Sequence, residues 1–266
     1  MDPFDFRHKT VLVTGASKGI GAEFARQLSK LGATLVLVAR SREQLDVLAE
    51  EIGDAHVVSA DLAKPGAAEL IQTEVEKLNL DIDVLVNNAG FGLHGSFESL
   101  GLDEQRGEID LNVTALYELT YLFLPGIVRR RGGVLNVCSV AGYGPIPYMS
   151  VYAATKAFVL SFSQALWAEC EPRGVRVTCL SPGATNTAFF ERSGSGADPG
   201  TKAEPSDVAK LGIDAFVAGR ASVVHGRRNR LLILLSGLFP LEFMLRSAAK
   251  MLAPQPILSS ETVGEE

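Results

Sequence analysis

Short apolar runs alternate along the chain with longer stretches whose apolar positions recur at helical spacing. The runs cover 10–14, 34–39, 55–59, 84–87, 133–138, 176–180 and 222–224, rich in Val and Leu and without strict polar alternation. A strand covered on one face alternates apolar with polar residues. One covered on both faces does not, so these runs predict strands buried between two layers. Helical periodicity fills 20–31, 43–52, 67–78, 104–130, 152–171 and 205–218, with Gly32 and Gly174 placed to end helices and Pro205 or Ser206 to begin one. Such alternation requires parallel strands joined by crossover helices, and predicts an α/β, doubly wound parallel sheet of about seven strands flanked by helices. No composition break or fixed repeat marks a second domain. The stretch 193–200 (SGSGADPG) predicts a mobile loop at the ligand-binding edge of the sheet, and 254–266 a flexible tail.

A chain of 266 residues, 47% hydrophobic, can bury a core without disulfides or metals. The net charge of −6 gives no electrostatic reason to expect a nucleic acid. Three cysteines without a CxxC, and an opening Met1–Asp5 with no basic or apolar leader, lead to the expectation of a reducing, cytoplasmic setting. The four histidines are scattered, so no metal site is expected. The apolar maximum, 231–241 (LLILLSGLFPL), is too short to span a bilayer and contains Gly237 and Pro240. It belongs to an apolar extension, 227–253, flanked by Arg227, Arg228, Arg230 and Arg246. Two uses stand for it: a subunit contact, favoured because the chain is acidic, or a peripheral membrane contact.

The first strand runs straight into Thr14-Gly15-Ala16-Ser17-Lys18-Gly19-Ile20-Gly21 and then into a helix. Glycines there let backbone approach a pyrophosphate, and the helix N-terminus offers amides and positive dipole. The spacing is G-x-x-x-G-x-G, not the common G-x-G-x-x-G. The second strand ends Val38-Ala39-Arg40-Ser41-Arg42, without the acid that would accept from a ribose 2′-hydroxyl. Arg40, with Lys18 as a second cation, suits a 2′-phosphate and points to NADP(H) over NAD(H), unless both are solvated surface charges.

Tyr152 and Lys156 stand four apart at a predicted helix start, on one face. A tyrosine working near neutral pH needs its pKa lowered by about three units, or about 4 kcal/mol. An ammonium about 4 Å away supplies a similar amount at an effective dielectric near 20. Ser139 closes a strand thirteen residues earlier and could hydrogen-bond the oxygen that Tyr152 protonates. Asn87-Asn88-Ala89-Gly90 closes another.

Together these motifs, in this order, resemble the short-chain dehydrogenase/reductase family, in its single-domain subgroup of about 250 residues with a Rossmann-type fold; the likeness covers about residues 8–225. The resemblance implies Tyr152 as general acid/base, Lys156 as its pKa modulator and a ligand of the nicotinamide ribose, Ser139 as substrate-orienting hydroxyl and Asn112 as holder of a proton-relay water. It also implies cofactor contacts from Gly15, Ser17, Lys18, Gly19, Ile20, Gly21, Arg40, Asp61, Leu62, Asn88, Ala89 and Gly90, and from Pro182, Gly183 and Thr187. Asp61 could instead be a helix cap or a loop acid, and Asn186 replaces the apolar residue the family places before that threonine.

The loops that would enclose a substrate carry Phe91, Leu93, Tyr143, Tyr148 and Phe189 and no cationic clamp. They fit a small to medium hydrophobic carbonyl or alcohol, unless the aromatics only pack. An assembly of two or four like subunits is expected. A catalytically silent, NADP(H)-binding regulator or scaffold of this fold is the alternative, but it would be expected to have lost Ser139, Tyr152 or Lys156. A sugar-nucleotide epimerase needs a longer chain and a different glycine spacing.

Overall fold

Along each central strand, side chains alternate between two separate cores. Val11 and Val13 enter one and Leu12 the other; Leu35 and Leu37 enter the first and Val36 and Val38 the second. This double coverage is why the runs are apolar without alternation. The computed structural model describes residues 3–189, 202–236 and 238–254. Among these residues the strands are β1 (Thr10–Thr14), β2 (Thr34–Ala39), β3 (Ala55–Ser59), β4 (Val84–Asn87), β5 (Gly133–Val137), β6 (Arg176–Ser181) and β7 (Ser222–Val224). They form one parallel sheet in the order β3-β2-β1-β4-β5-β6-β7.

One face is covered by α1 (Gly19–Lys30), α2 (Arg42–Ile52) and α7 (Pro205–Val217). The other is covered by α3 (Ala67–Lys77), α5 (Ala115–Arg129) and α6 (Ser150–Cys170). Strand order reverses between β1 and β4, which opens a crevice at their carboxyl ends. The helix expected over 104–130 is divided into α4 (Leu102–Ile109), a π-helical turn at Asp110–Thr114, and α5. By length and composition alone Leu102–Arg129 could cross a membrane. Its Ala115, Leu119, Phe123 and Ile127 instead line the second core.

The apolar extension forms α8 (Arg227–Ser236) and α9 (Leu241–Leu252), neither with a buried residue. The loop expected at 193–200 and the tail from 255 lie outside the described residues.

Candidate active site

The turn after β1 closes tightly on the segment after β4. Gly15 has φ +64°, and a Cβ there would lie 2.9 Å from the Cα of Ala89. A Cβ on Gly21 would run into the carbonyl oxygen of Gly15. The Oγ1 of Thr14 accepts from the amides of Asn88 (2.9 Å) and Ala89 (3.0 Å), and Asn88 Nδ2 donates to the Thr14 carbonyl at 2.9 Å. The glycine turn and the Asn88–Gly90 segment therefore form one body, with Ser17 and Ile20 half-buried within it. Thr187, from the segment that follows Pro182 and Gly183, reaches this body as well: a Cβ on Gly19 would sit 2.9 Å from its Cγ2. A backbone stripped of Cβ atoms at the start of a helix is a cradle that fits a pyrophosphate.

Toward β2 the construction loosens. Arg40 and Lys18 are exposed, and neither side chain has a hydrogen bond or ion pair among the described residues. Asp61 accepts from the amide of Ala63 at 3.2 Å, so it caps its loop, while Leu62 is buried.

Toward β5 the side chains are enclosed. Ser139 stands two residues beyond the end of β5, and its Oγ accepts from the amide of Ala141 at 3.1 Å. Tyr152 and Lys156, on the first turns of α6, are both buried. Asn112 sits in the π-helical turn, where it accepts from the Phe91 amide (3.1 Å) and donates to the Phe91 carbonyl (2.8 Å) and to Thr155 Oγ1 (3.1 Å). A Cβ on Gly90 would lie 3.0 Å from Asn112 Oδ1 and 3.3 Å from Lys156 Nζ, so three motifs distant in sequence meet at one point.

Lys156 Nζ donates to the Val137 carbonyl at 3.0 Å and lies 5.9 Å from the centre of the Tyr152 ring. Burial pushes the Tyr152 phenol well above its usual range; the Ser139 hydroxyl opposes this, while Cys138 and Glu108 add to it. Burial also lowers the pKa of Lys156, against the pull of Cys138, Cys179 and Glu108 toward the ammonium form.

The pocket aromatics divide. Phe189 stacks obliquely on Tyr152, ring centres 5.3 Å apart, and a Cβ on Gly92 would strike both rings at 2.8 Å. Phe91 is buried and leans toward Gly107 of α4. Tyr148 holds φ +63°, unusual for a bulky residue, and its carbonyl accepts from the Gly95 amide at 2.9 Å. Tyr143 turns away: its hydroxyl lies 3.3 Å from Ser222 Oγ on β7 and 3.4 Å from Ser181 Oγ.

Residues 9–198 match the family model described as short chain dehydrogenase. The chain belongs to the short-chain dehydrogenase family. The serine 3-dehydrogenase of Agrobacterium fabrum is 36% identical over 182 residues, which is 68% of this chain and 73% of that protein. Among solved structures, a short-chain dehydrogenase from Sphingobium yanoikuyae in complex with NADPH is 34% identical with a TM-score of 0.76, covering 86% of this chain and 94% of that one. A structure from a study of 7β-hydroxysteroid dehydrogenase stereoselectivity reaches a TM-score of 0.82 at 26% identity, covering 94% and 100%.

Within this family frame, sequence reasoning overlooked Glu108, Gly92 and Thr155. Glu108 is almost fully buried, and its Oε1 accepts from the Leu93 amide at 3.3 Å, one helical turn before Asn112. In sequence it looks like one more acid on a polar helix. Its signal is position, four residues ahead of an asparagine already singled out. Gly92 is adjacent to the NNAG motif, and Thr155 lies inside YxxxK.

Proposed function

We propose that this oxidoreductase interconverts a carbonyl and an alcohol on a small to medium hydrophobic substrate, with NADP(H) preferred over NAD(H). The observation that carries the reading is the meeting of Ser139, Tyr152, Lys156 and Asn112 at the carboxyl edge of the sheet, beside an apolar wall of Phe189 and Gly92. The cradle at Gly15–Gly21 would hold the pyrophosphate, Arg40 and Lys18 the 2′-phosphate, and Lys156 the nicotinamide ribose. Bound there, the cofactor supplies or accepts the hydride. The Ser139 hydroxyl donates to the substrate oxygen. In reduction Tyr152 passes its phenolic proton to that same oxygen, and its raised pKa keeps the proton in place until it is needed. In oxidation the phenol must first lose that proton.

The buried, unpaired thiols of Cys138, Cys170 and Cys179 suit a reducing, cytoplasmic compartment. Self-association into a dimer or tetramer would draw on exposed Tyr117 and Tyr121, one turn apart on α5, and sedimentation velocity tests it. The functional test follows NADPH absorbance over a panel of hydrophobic ketones and aldehydes, beside Tyr152→Phe. Ketone-dependent loss that the variant abolishes supports the reading. Tight NADPH binding without turnover of any panel member overturns it.

A further inference from the structure

The most apolar stretch of the sequence is also the least covered. On α8, α9 and the turn between them, Leu234, Leu238, Phe239, Leu241, Phe243 and Met251 are each more than half exposed. The same segment carries Arg227, Arg228, Arg230, Arg246 and Lys250 against a single acid, Glu242, in a chain whose net charge is −6. Apolar exposure and reversed charge thus coincide. The hairpin also stands at the mouth of the crevice. Asn229 of α8 packs against Gly183, in the segment after β6, and the Leu252 carbonyl at the end of α9 lies 2.8 Å from His94 Nε2. His94 stands two residues after Gly92, which lies against the rings of Phe189 and Tyr152.

We propose that α8 and α9 seat the protein on an anionic lipid surface, with the substrate entrance turned toward the bilayer. An amphipathic helix rich in Leu and Phe, with Lys and Arg beside them, settles at the headgroup boundary. Each cation near an anionic leaflet is worth about fivefold in partitioning. The competing occupant is a second copy of this chain. Two-fold pairing through this patch sets its five cations against the same five of the partner, whereas acidic headgroups meet them favourably. The orientation of the entrance rests on the function proposed above: a hydrophobic ketone dissolved in lipid then reaches Tyr152 without crossing bulk water.

The test sediments the full chain with vesicles of phosphatidylcholine alone and with phosphatidylglycerol added, at low and high salt. The expected result is binding at least about tenfold stronger to the anionic vesicles and weakened by salt. The triple variant Leu234→Ser, Leu238→Ser, Phe239→Ser should lose this binding. All three side chains are exposed, so its melting curve and its turnover of a water-soluble ketone should match the parent. Absence of binding to anionic vesicles overturns the proposal. So does a triple variant that binds vesicles as the parent does, or one that converts a dimer to a monomer in sedimentation velocity. Vesicle binding in a protein that turns over no ketone leaves the membrane contact standing and removes the functional reading; turnover without vesicle binding does the reverse.

Discussion

At the β2 end of the crevice, Arg40 and Lys18 stand in solvent without a partner among the described residues. At the β4–β5 end, Asn112 uses both amide atoms, Lys156 is bonded to the Val137 carbonyl and Tyr152 lies buried under Phe189. The two ends can do different work. A solvated cation contributes only when an anion arrives, so it can be exchanged without disturbing its neighbours. An enclosed set of polar groups is already oriented by its hydrogen bonds, and acts in a medium where each charge counts for more. Selectivity between cofactors should therefore reside at the first end and rate at the second.

The largest expected effect comes from the enclosed end. Tyr152→Phe removes the proposed proton donor and leaves the ring against Phe189, so turnover should fall by about 10²- to 10⁴-fold. NADPH affinity, measured by fluorescence titration, should stay close to the parent value. A turnover loss below about tenfold would mean that another group delivers the proton.

At the open end, Arg40→Asp replaces a charge-assisted bond worth about 1.5–3 kcal/mol with a repulsion. The NADPH/NADH affinity ratio from calorimetric titration should then drop at least about tenfold, with the melting temperature unchanged. A ratio that holds steady would move the 2′-phosphate contact away from β2 and dissolve the contrast between the two ends.

The sequence spoke clearly where one physical demand allowed few residues. Strands covered on both faces must be apolar throughout, and the run at 133–138 differs from β5 by a single residue. Gly15 and Gly21 are legible because a Cβ at either would collide with backbone. Other features leave no such mark. Helical spacing places Tyr152 and Lys156 on one face, but not the rotamer that takes Lys156 to Val137. A π-helical turn adds one residue to a turn, too little to break the apolar period over 104–130. Tyr143 is an aromatic in a loop whether it faces substrate or Ser222. The composition of α8 and α9 shows that water is disfavoured there, but not that the fold leaves them uncovered.

A smaller effect separates clamping from electrostatics at the enclosed end. Glu108 both holds the Leu93 amide and adds to the elevation of the Tyr152 pKa. Alcohol oxidation needs the phenolate, so kcat/KM for oxidation should climb with pH as Tyr152 approaches its raised pKa. Glu108→Gln keeps a group able to accept from Leu93 but removes the negative charge, so the pKa falls and the climb begins at lower pH. Glu108→Asp keeps the charge and should lie closer to the parent profile. If the glutamine variant leaves the pH profile in place and only raises KM, Glu108 acts through the loop alone.

The smallest effect is expected at Tyr143, the aromatic that faces away from the pocket. Its hydroxyl contacts to Ser222 and Ser181 are long, 3.3 and 3.4 Å, and both serines belong to strands at the β7 edge of the sheet. Tyr143→Phe keeps the ring and gives up only these contacts, so it should cost about 0.5–1.5 kcal/mol in denaturant unfolding. Turnover of the best panel ketone should stay within about twofold, as expected of a change outside the reacting groups. A drop in kcat/KM of tenfold or more, with stability held, would place the Tyr143 hydroxyl on the substrate during turnover. The enclosed end would then extend to the loop after Ser139, and the pocket would carry a polar contact on the side facing β7.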